Sequence, residues 1–481
     1  MVIQNKTQNN DSSFLPKSTK IADAVDSAIQ ESARQSIMES INLNAAGIDI
    51  GSRSHFVAVP ADRDAQPVQE FPSFTPDLER LADWLTECGI TTVAMESTGV
   101  YWIPLFELLE SRGFDVKLVN AHHIKNVPGR KTDVADCQWI QQLHTFGLLS
   151  GSFRPDDDIC VLRAFMRQRA NLVRYCGSHI QHMQKALNLM NIQLHHVISD
   201  LTGVTGMTII RAIIAGERDP QVLAENRDSR CKEPIEVILK SLQGNWREEH
   251  LFSLRQAVEL FDVYQQKIED CDQQIAQILD GLDPQTDEEA PQPLRKAPIA
   301  RNTPDINLHE RLFHIAGVDL TRIDGLNPHT ILKIFSETGS DMSRWPSAKH
   351  FASWLGLCPG NHVSGGKQTG KSNTIPSANR AAAAFRIAAR SLANSQSALG
   401  GFYRRQKSRL GAPKAITAAA HKQATIFYTM LKNKTPYDAP EANYYEEQYQ
   451  KRVMANLKKR ANLMGFDLVE QPTDDIQSCP A

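Results

Sequence analysis

Ala45-Ala46-Gly47-Ile48-Asp49-Ile50 is the stretch that decides the fold. It is a short apolar run ending beside an acid, and two further strand-like runs follow it, at His55 to Pro60 and Pro67 to Phe71. Beyond them the pattern predicts a helix over Pro76 to Cys88, a strand over Thr91 to Glu96, a helix over Trp102 to Arg112 and a strand over Asp115 to Asn120. An amphipathic helix carrying Asp133 and Asp136 comes next. Three consecutive strands followed by alternating helices and strands is the order of an RNase H-like α/β sheet, with its parallel part flanked by helices. In open sheets of this kind the site lies beyond the carboxyl ends of the strands, where Asp49 and Glu96 fall.

The chemistry centres on Gly129-Arg-Lys131-Thr-Asp133-Val-Ala-Asp136-Cys-Gln-Trp-Ile-Gln-Gln142. Asp133 and Asp136 are three positions apart and so share a helix face. Two acids side by side repel unless a cation or a proton sits between them. With Asp49 and Glu96 they make four carboxylates on two strand ends and one helix, a donor set suited to Mg²⁺, with Mn²⁺ as a substitute. Phosphoryl transfer on DNA needs metals, a nucleophile and a leaving oxygen in line, and two ions about 4 Å apart can hold a scissile phosphate between them. Any one of these acids alone would read as a cap or a solvated side chain; the four together on this fold read as a metal site. Gly47-Ile48-Asp49-Ile50-Gly51-Ser52 also fits the first hairpin of an actin-like ATPase or sugar kinase, but no second Asp-x-Gly-Gly hairpin follows.

At 481 residues the chain exceeds one typical core, which predicts several domains. Hydrophobic residues at 41% and charged residues at 22% are those of an ordinary globular protein. No run of 18 apolar residues occurs and the first ten residues lack a signal-peptide core, so the expectation is a cytoplasmic protein with no membrane partner. The eight cysteines are scattered without metal-ligand spacing, which predicts reduced, mostly buried thiols. The net charge of -2 conceals an asymmetry: Asn361 to Lys434 holds 13 Lys and Arg and no Asp or Glu. A long acid-free basic region is an electrostatic footprint for a polyanion.

The predicted organisation is an N-terminal arm (1–43), the sheet domain (44–155), a helical and coiled-coil region (156–282), a proline-rich linker (283–307), a mostly helical domain (308–434) and a partly helical tail (435–481). In the middle region Val161 to Ile192 reads as one helix bearing Arg163, Arg167, Arg169, Arg174 and Lys185. Leu254, Phe261, Ile268, Ile275 and Leu282 recur every seven residues, with Ala257, Tyr264, Cys271 and Ile278 three positions after the first four. That is an a/d seam, for a coiled coil within the chain or between chains.

In the next domain, Ile315 to Thr330 resembles a helix-hairpin-helix with Gly325 as the turn residue, offering backbone N–H groups to a phosphate. Gly365-Gly-Lys367-Gln-Thr-Gly370-Lys371-Ser372 has the Walker A spelling, but Pro359 and Gly360 break the approach and Asn373 to Pro376 is a poor helix start. It reads instead as a cationic loop over DNA. Ser364 in that loop is a candidate nucleophile, flanked by glycines and Lys367. An attacking serine stores phosphodiester energy in a protein–DNA ester, so strands can be rejoined without ATP. The candidate nucleic-acid contacts are Lys131, Gly325, Lys367, Lys371, Arg380, Arg404 and Arg405.

These residues resemble the DEDD transposases of the insertion-sequence one-ten family, relatives of the Piv-type DNA invertases. The blocks are Gly47-Ile-Asp49 with His55, Glu96-Ser-Thr-Gly-Val-Tyr101, Val119-Asn120, Lys131-Thr-Asp133-Val-Ala-Asp136, Ile323-Asp-Gly-Leu-Asn-Pro328, and Trp354 through Ser364 to Lys367. The resemblance implies a RuvC-like nuclease domain whose four acids, Asp49, Glu96, Asp133 and Asp136, bind Mg²⁺, and a C-terminal transposase domain supplying Ser364 as nucleophile. It further implies double-stranded DNA as substrate, a structured bridge RNA as guide, and a homo-oligomer, dimer or tetramer, in which acids and serine come from different protomers. A nuclease or junction resolvase using water is the alternative. Where relatives have Gly-Ile-Gly-Pro this chain has Gly325-Leu326-Asn327-Pro328. Asn tolerates left-handed backbone better than most residues, so the turn is expected to survive.

Overall fold

The structure is a computed structural model that describes residues 40–97, 99–120, 132–293, 302–360, 363–365, 367–368, 374, 379–438 and 444–468. Most of the N-terminal arm, part of the linker, the end of the tail, and the candidate contacts Lys131 and Lys371 lie outside the described residues. Chain packing divides the protein into two compact units, one ending at Arg154 and one beginning at Pro155. Among the described residues no helix is long and apolar enough to cross a membrane.

The first unit is built on a five-stranded sheet in the order β3-β2-β1-β4-β5. Its strands are β1 (Ala45–Ile50), β2 (Ser54–Ala58), β3 (Val68–Pro72), β4 (Thr92–Glu96) and β5 (Asp115–Val119). β1 pairs antiparallel with β2, and β2 with β3, whereas β1–β4 and β4–β5 are parallel. That mixed sheet with its helices is compatible with an RNase H-like fold. α1 (Thr75–Glu87) starts with Pro76 in its first turn and buries Leu78, Leu81, Ala82 and Leu85, the i, i+3, i+4, i+7 stripe of an amphipathic helix. With Leu105, Phe106 and Leu109 of α2 (Trp102–Ser111) it covers the sheet face formed by Ala46, Ile48, Ile50, Val57, Val93 and Met95.

The opposite face is covered by α3 (Asp133–Thr145), whose Ile140 packs with Ala94 and Val119. Gly47 makes this possible. A Cβ there would lie 2.5 Å from the carbonyl oxygen of Cys137 and 2.7 Å from the Cα of Gln141, so the helix backbone rests directly on the strand.

The second unit opens with α4 (Asp157–Leu189). After α5 (Val204–Ala215), α6 (Pro220–Glu225) and α7 (Ile235–Ser241) comes α8 (Glu248–Gly281). Of the seam positions, Leu254, Ala257, Phe261, Ile268, Cys271 and Ile275 are buried and Tyr264 is half-buried, but the repeat does not hold to its end: Leu279 is buried in place of Ile278, and Leu282 is extended beyond the last helical residue. Leu254, Ala257, Phe261 and Ile268 share a core with α4, so within this chain the seam is met by another helix. α4 carries a matching row: Ile159, Leu162, Met166, Arg169, Cys176, Met183 and Leu187 are buried at alternating spacings of three and four, or their sum. The helices are antiparallel, since Arg169 pairs with Asp272 while Cys176 Sγ accepts from Gln265 Nε2 at 3.4 Å.

Arg169 occupies a seam position yet is 5% exposed. Its guanidinium forks onto both oxygens of Asp272 and donates to the Asn302 carbonyl at 2.9 Å.

Beyond α8, Asp283–Pro293 has no helix or strand but is not slack: Gln285 N–H donates to His314 O at 2.7 Å. His314 lies on α9 (Leu308–Ala316), which leads through the Gly325 turn to α10 (Pro328–Thr338). Arg163 caps the far end of α10, donating to the carbonyls of Ser336 at 3.2 Å and Glu337 at 3.0 Å, and Arg167 pairs with the Glu337 carboxylate at 2.9 Å. Two of the arginines noted on this helix thus serve packing. The remaining elements are α11 (Ala348–Trp354), a small hairpin of β6 (Val363–Ser364) and β7 (Lys367–Gln368), α12 (Arg380–Ser391), α13 (Ala398–Leu410), α14 (Ala412–Asn433) and α15 (Tyr444–Leu463). Phe351, Phe385 and Phe427 are fully buried, and Tyr428 donates its hydroxyl to Trp345 O at 2.7 Å.

Removing one partner of a buried ion pair strands the other charge, at a cost of about 3–5 kcal/mol. Asp272→Ala should therefore lower unfolding stability by about that amount in denaturant titration, while Arg169→Met with Asp272→Leu should recover most of it. A loss under about 1 kcal/mol for Asp272→Ala would show that the pair does not hold the helical hairpin together.

Candidate active site

The register of β1 on β4 pairs Ile48 with Met95, which sets Asp49 beside Glu96 at the next position. In-register residues of adjacent parallel strands point to the same side, with the strands about 4.8 Å apart. That side is the α3 face, because Gly47, two residues before Asp49, is where α3 rests. Asp49 is half-buried and Glu96 is buried.

α3 runs antiparallel to β1. Its last turn is tied to the start of the strand region, where the N–H groups of Ile41 and Asn42 both donate to Thr145 O at 2.9 Å. Gln141 Nε2 donates to Ala45 O at 3.4 Å. The helix therefore begins at the end of β1 that carries Asp49. Thr132 is its N-cap, extended at φ -137 and ψ 143, with its hydroxyl accepting from Ala135 N–H at 3.3 Å. Asp133 and Asp136 fall in the first turn, where the helix dipole favours negative charge.

The electrostatics tie the four acids into one group. The Asp49 carboxyl is pushed up to about 6, first by burial and then by the charges of Glu96, Asp133 and Asp136, with a hydrogen bond from the Ile50 backbone opposing. The neighbouring Cys137 thiol is pushed up to about 12, mainly by burial. Among the described residues no three acidic, histidine or cysteine side chains are gathered tightly enough to enclose an ion. The donor chemistry nevertheless fits a divalent cation: four hard carboxylates share a sheet edge, and the raised Asp49 marks negative charge that a cation would offset.

At the other end of α3 lies a clamp that the sequence reading missed. His144 is 1% exposed and its Nε2 sits 2.9 Å from Thr92 Oγ1, which also donates to Asp115 O at 3.0 Å. Burial, aided by Lys117, pushes His144 down to about 4, so the ring is neutral at physiological pH. His55 lies on the opposite face, paired with Ile50, buried and held below its ordinary value by desolvation.

Ser364, in the second unit, ends β6 and pairs with Lys367 across a tight turn in which Gly365 takes φ +56. Its side chain lies outside the described residues. The Walker-like spelling has a strand, Lys367–Gln368, where a phosphate loop would need an open loop. Lys367 is exposed.

Gly325 takes φ +87, and a Cβ there would lie 2.8 Å from Ala388 O and 2.9 Å from Gln423 Nε2. Gln423 is fully buried and donates to Asp324 O at 2.8 Å, holding the turn from behind. Asn327 is not left-handed as expected. It is extended at φ -103 and ψ 164 and caps α10, its Oδ1 accepting from Thr330 N–H at 2.8 Å. The turn survives because Gly325 alone carries the positive φ of this hairpin and Pro328 suits the first helical position.

Arg380 is exposed in the first turn of α12. Arg404 turns its guanidinium onto the carbonyls of Ala393 and Ser395, and Arg405 lies over the Phe402 ring at 5.9 Å.

Residues 46–192 match a family model described as a transposase of the DEDD IS110 type, a span that includes all four acids. Residues 319–404 match a model described as the transposase IS116/IS110/IS902 family, a span that includes Gly325 and Ser364. No curated protein matches the chain.

Two outcomes test this geometry. Gly47→Ala forces a methyl group into the α3 backbone and should cost about 3 kcal/mol in thermal or denaturant unfolding, near the upper end for an overpacked site; a neutral result would mean α3 does not rest on β1. For Asp49, an unfolded Asp ionises near pH 4 and the folded one near 6. The fold is thus favoured below pH 4 and loses that contribution as pH rises to about 6. In EDTA, the melting temperature of Asp49→Asn relative to the native protein should rise between pH 4 and 6 and level off above. A flat difference would contradict the shared charge.

Proposed function

The chain belongs to the IS110 family of transposases and is an enzyme that cleaves and recombines DNA; on that premise we propose that it exchanges DNA strands through a serine-linked intermediate with divalent-metal assistance. The observation that carries the reading is the convergence of Asp49, Glu96, Asp133 and Asp136 on one sheet edge, with Asp49 raised to about 6 by the company it keeps.

In this proposal the four carboxylates hold Mg²⁺. When bound, the metal offsets charge on the scissile phosphate and orients it. The N-cap of α3 fixes Asp133 and Asp136, and the β1–β4 register fixes Asp49 against Glu96, so the ligands are held by rigid elements. Ser364 Oγ attacks phosphorus; the serine Oγ–P bond forms as the P–O bond to the departing deoxyribose oxygen breaks. That oxygen leaves as a hydroxyl bearing the proton the serine gives up. Attack on the ester by a different deoxyribose hydroxyl reverses the step, joins new strands and regenerates Ser364. The tight β6–β7 turn with its exposed Lys367 suits a nucleophile offered to a phosphate.

Double-stranded DNA is the substrate, and a structured bridge RNA is the guide we propose from the family resemblance. The acid-free run from Asn361 to Lys434 supplies the positive field that either polyanion requires. Because the acids and Ser364 belong to different compact units, the site can be completed by a second copy, and a homo-oligomer is part of the proposal.

A recombination assay on element-end DNA tests it. Asp136→Asn and Ser364→Ala should each reduce product on the order of 10³-fold or more, as loss of a catalytic group does, and EDTA should abolish product until Mg²⁺ is restored. A protein–DNA adduct should survive denaturing electrophoresis with the native protein and be missing with Ser364→Ala. Normal product from Ser364→Ala removes the serine role, and cleavage without any adduct favours hydrolysis by water.

A further inference from the structure

The edge of the sheet that carries the acids also carries features that none of the chemistry above employs. β4 ends at Glu96, and five residues later the chain enters α2 through Gly99, Val100 and Tyr101. Five residues span at most about 17 Å, so these side chains lie within that reach of Glu96. Gly99 takes φ +57, a left-handed turn that L side chains rarely adopt, and Val100 and Tyr101 are left 66% and 48% exposed. Val134, between the two acids of the first turn of α3, is 42% exposed. α2 and α3 cover opposite faces of the sheet, so apolar groups flank the acidic edge from both sides.

On the same rim the β1–β2 turn presents Arg53, four residues after Asp49. Arg53 is exposed, and among the described residues its guanidinium has no ion-pair or hydrogen-bond partner. Its backbone is fixed, since its carbonyl accepts from Ser73 N–H at 2.9 Å.

Aromatic and apolar surface beside four carboxylates has no use for its own domain, whose core is closed beneath it. It suits a ligand that is anionic at one point and flat and apolar a few ångströms away. A nucleotide has that form: its phosphate belongs at the acids and their cation, its base has a π-face that stacks on a tyrosine ring, and the next phosphate needs a cation such as Arg53.

We propose that Tyr101, backed by Val100, stacks against a nucleobase next to the scissile phosphate, and that Arg53 takes a neighbouring phosphate, so that the rim positions the DNA strand over the acids. This rests on the transposase reading and deepens it. Tyr101 and Arg53 are positioning residues: they set where the strand lies and take no part in bond making.

The test uses the full-length protein, loaded with RNA transcribed from the element's non-coding segment, and element-end duplex DNA carrying 2-aminopurine beside the cleaved bond, in Ca²⁺ buffer, with binding followed by anisotropy and the base by its fluorescence. Tyr101→Ala should weaken binding about 5- to 100-fold, the range for losing one aromatic–base stack, and should release the 2-aminopurine quenching. Tyr101→Phe should keep both, which a role for the hydroxyl in folding would not. Arg53→Ala should lower the slope of log affinity against log salt by about one phosphate contact, with the quenching retained.

Unchanged affinity and quenching in Tyr101→Ala, with Asp136→Asn still blocking recombination, overturns the inference and leaves the transposase reading standing. If the native protein fails to bind this DNA, both fall. If Tyr101→Ala instead breaks a DNA-free oligomer in sedimentation and leaves quenching untouched, the rim is a contact between copies and the inference is wrong.

Discussion

The gathering of the four acids depends on the missing side chain at Gly47. Helices usually pack on sheets through side chains, which hold the two backbones well apart. Here the α3 backbone meets β1 with no Cβ between them, and the direction of the helix follows from what it touches: Ala45, Gly47 and then Asp49 along the strand meet successively earlier turns of the helix. The closeness at Gly47 is what lets two acids from a helix reach the charges of two acids from strands. The Thr92–His144 contact at the far end acts in the same direction, because a helix held at both ends cannot slide along the strand.

The cost of this arrangement is electrostatic. Its own burial and the charges of the other three acids disfavour ionisation of Asp49. Asp133 and Asp136 sit in the first turn of α3, at the end of the helix dipole that suits negative charge. The site therefore combines a preorganised scaffold with unfavourable local charge, a combination that functional sites tolerate and core positions do not. The second unit treats charge the other way: Arg169 and Asp272 are paired and forked, and Arg163 and Arg167 satisfy the carbonyl end of α10 and its glutamate.

Much of this was legible in the residues. Each strand and helix of the sheet domain falls within about two residues of its expected position because the apolar runs are short, regular and bounded by Gly, Pro and Asn; the acids stand out because they end those runs. The α8 seam was legible from its heptads, but its partner in α4 was not, because Arg169 interrupts an otherwise apolar row there. What Gly47 does could not be read, since a glycine in a strand equally signals a bulge, and only the packed helix distinguishes the two. Gln423 gave no signal either: one glutamine in a helix becomes significant only when the Gly325 turn lies behind it. Asn327 was misread because Asn favours both left-handed turns and helix caps, and Pro328 after it makes the cap the better choice.

The distribution of charge along the chain links the two units. A phosphodiester approaching the acidic edge meets four carboxylates and is repelled in the absence of a cation, whereas the region from Asn361 to Lys434 attracts it at long range. Attraction and chemistry are thus assigned to different parts of the protein, and the near-neutral total conceals the basic run because its charge is offset by acids spread over the rest of the chain. In the proposed reaction that division has a consequence: DNA gathered by the basic region gains nothing at the acids until divalent cations offset their charge. Metal occupancy then governs strand cleavage far more steeply than it governs DNA binding.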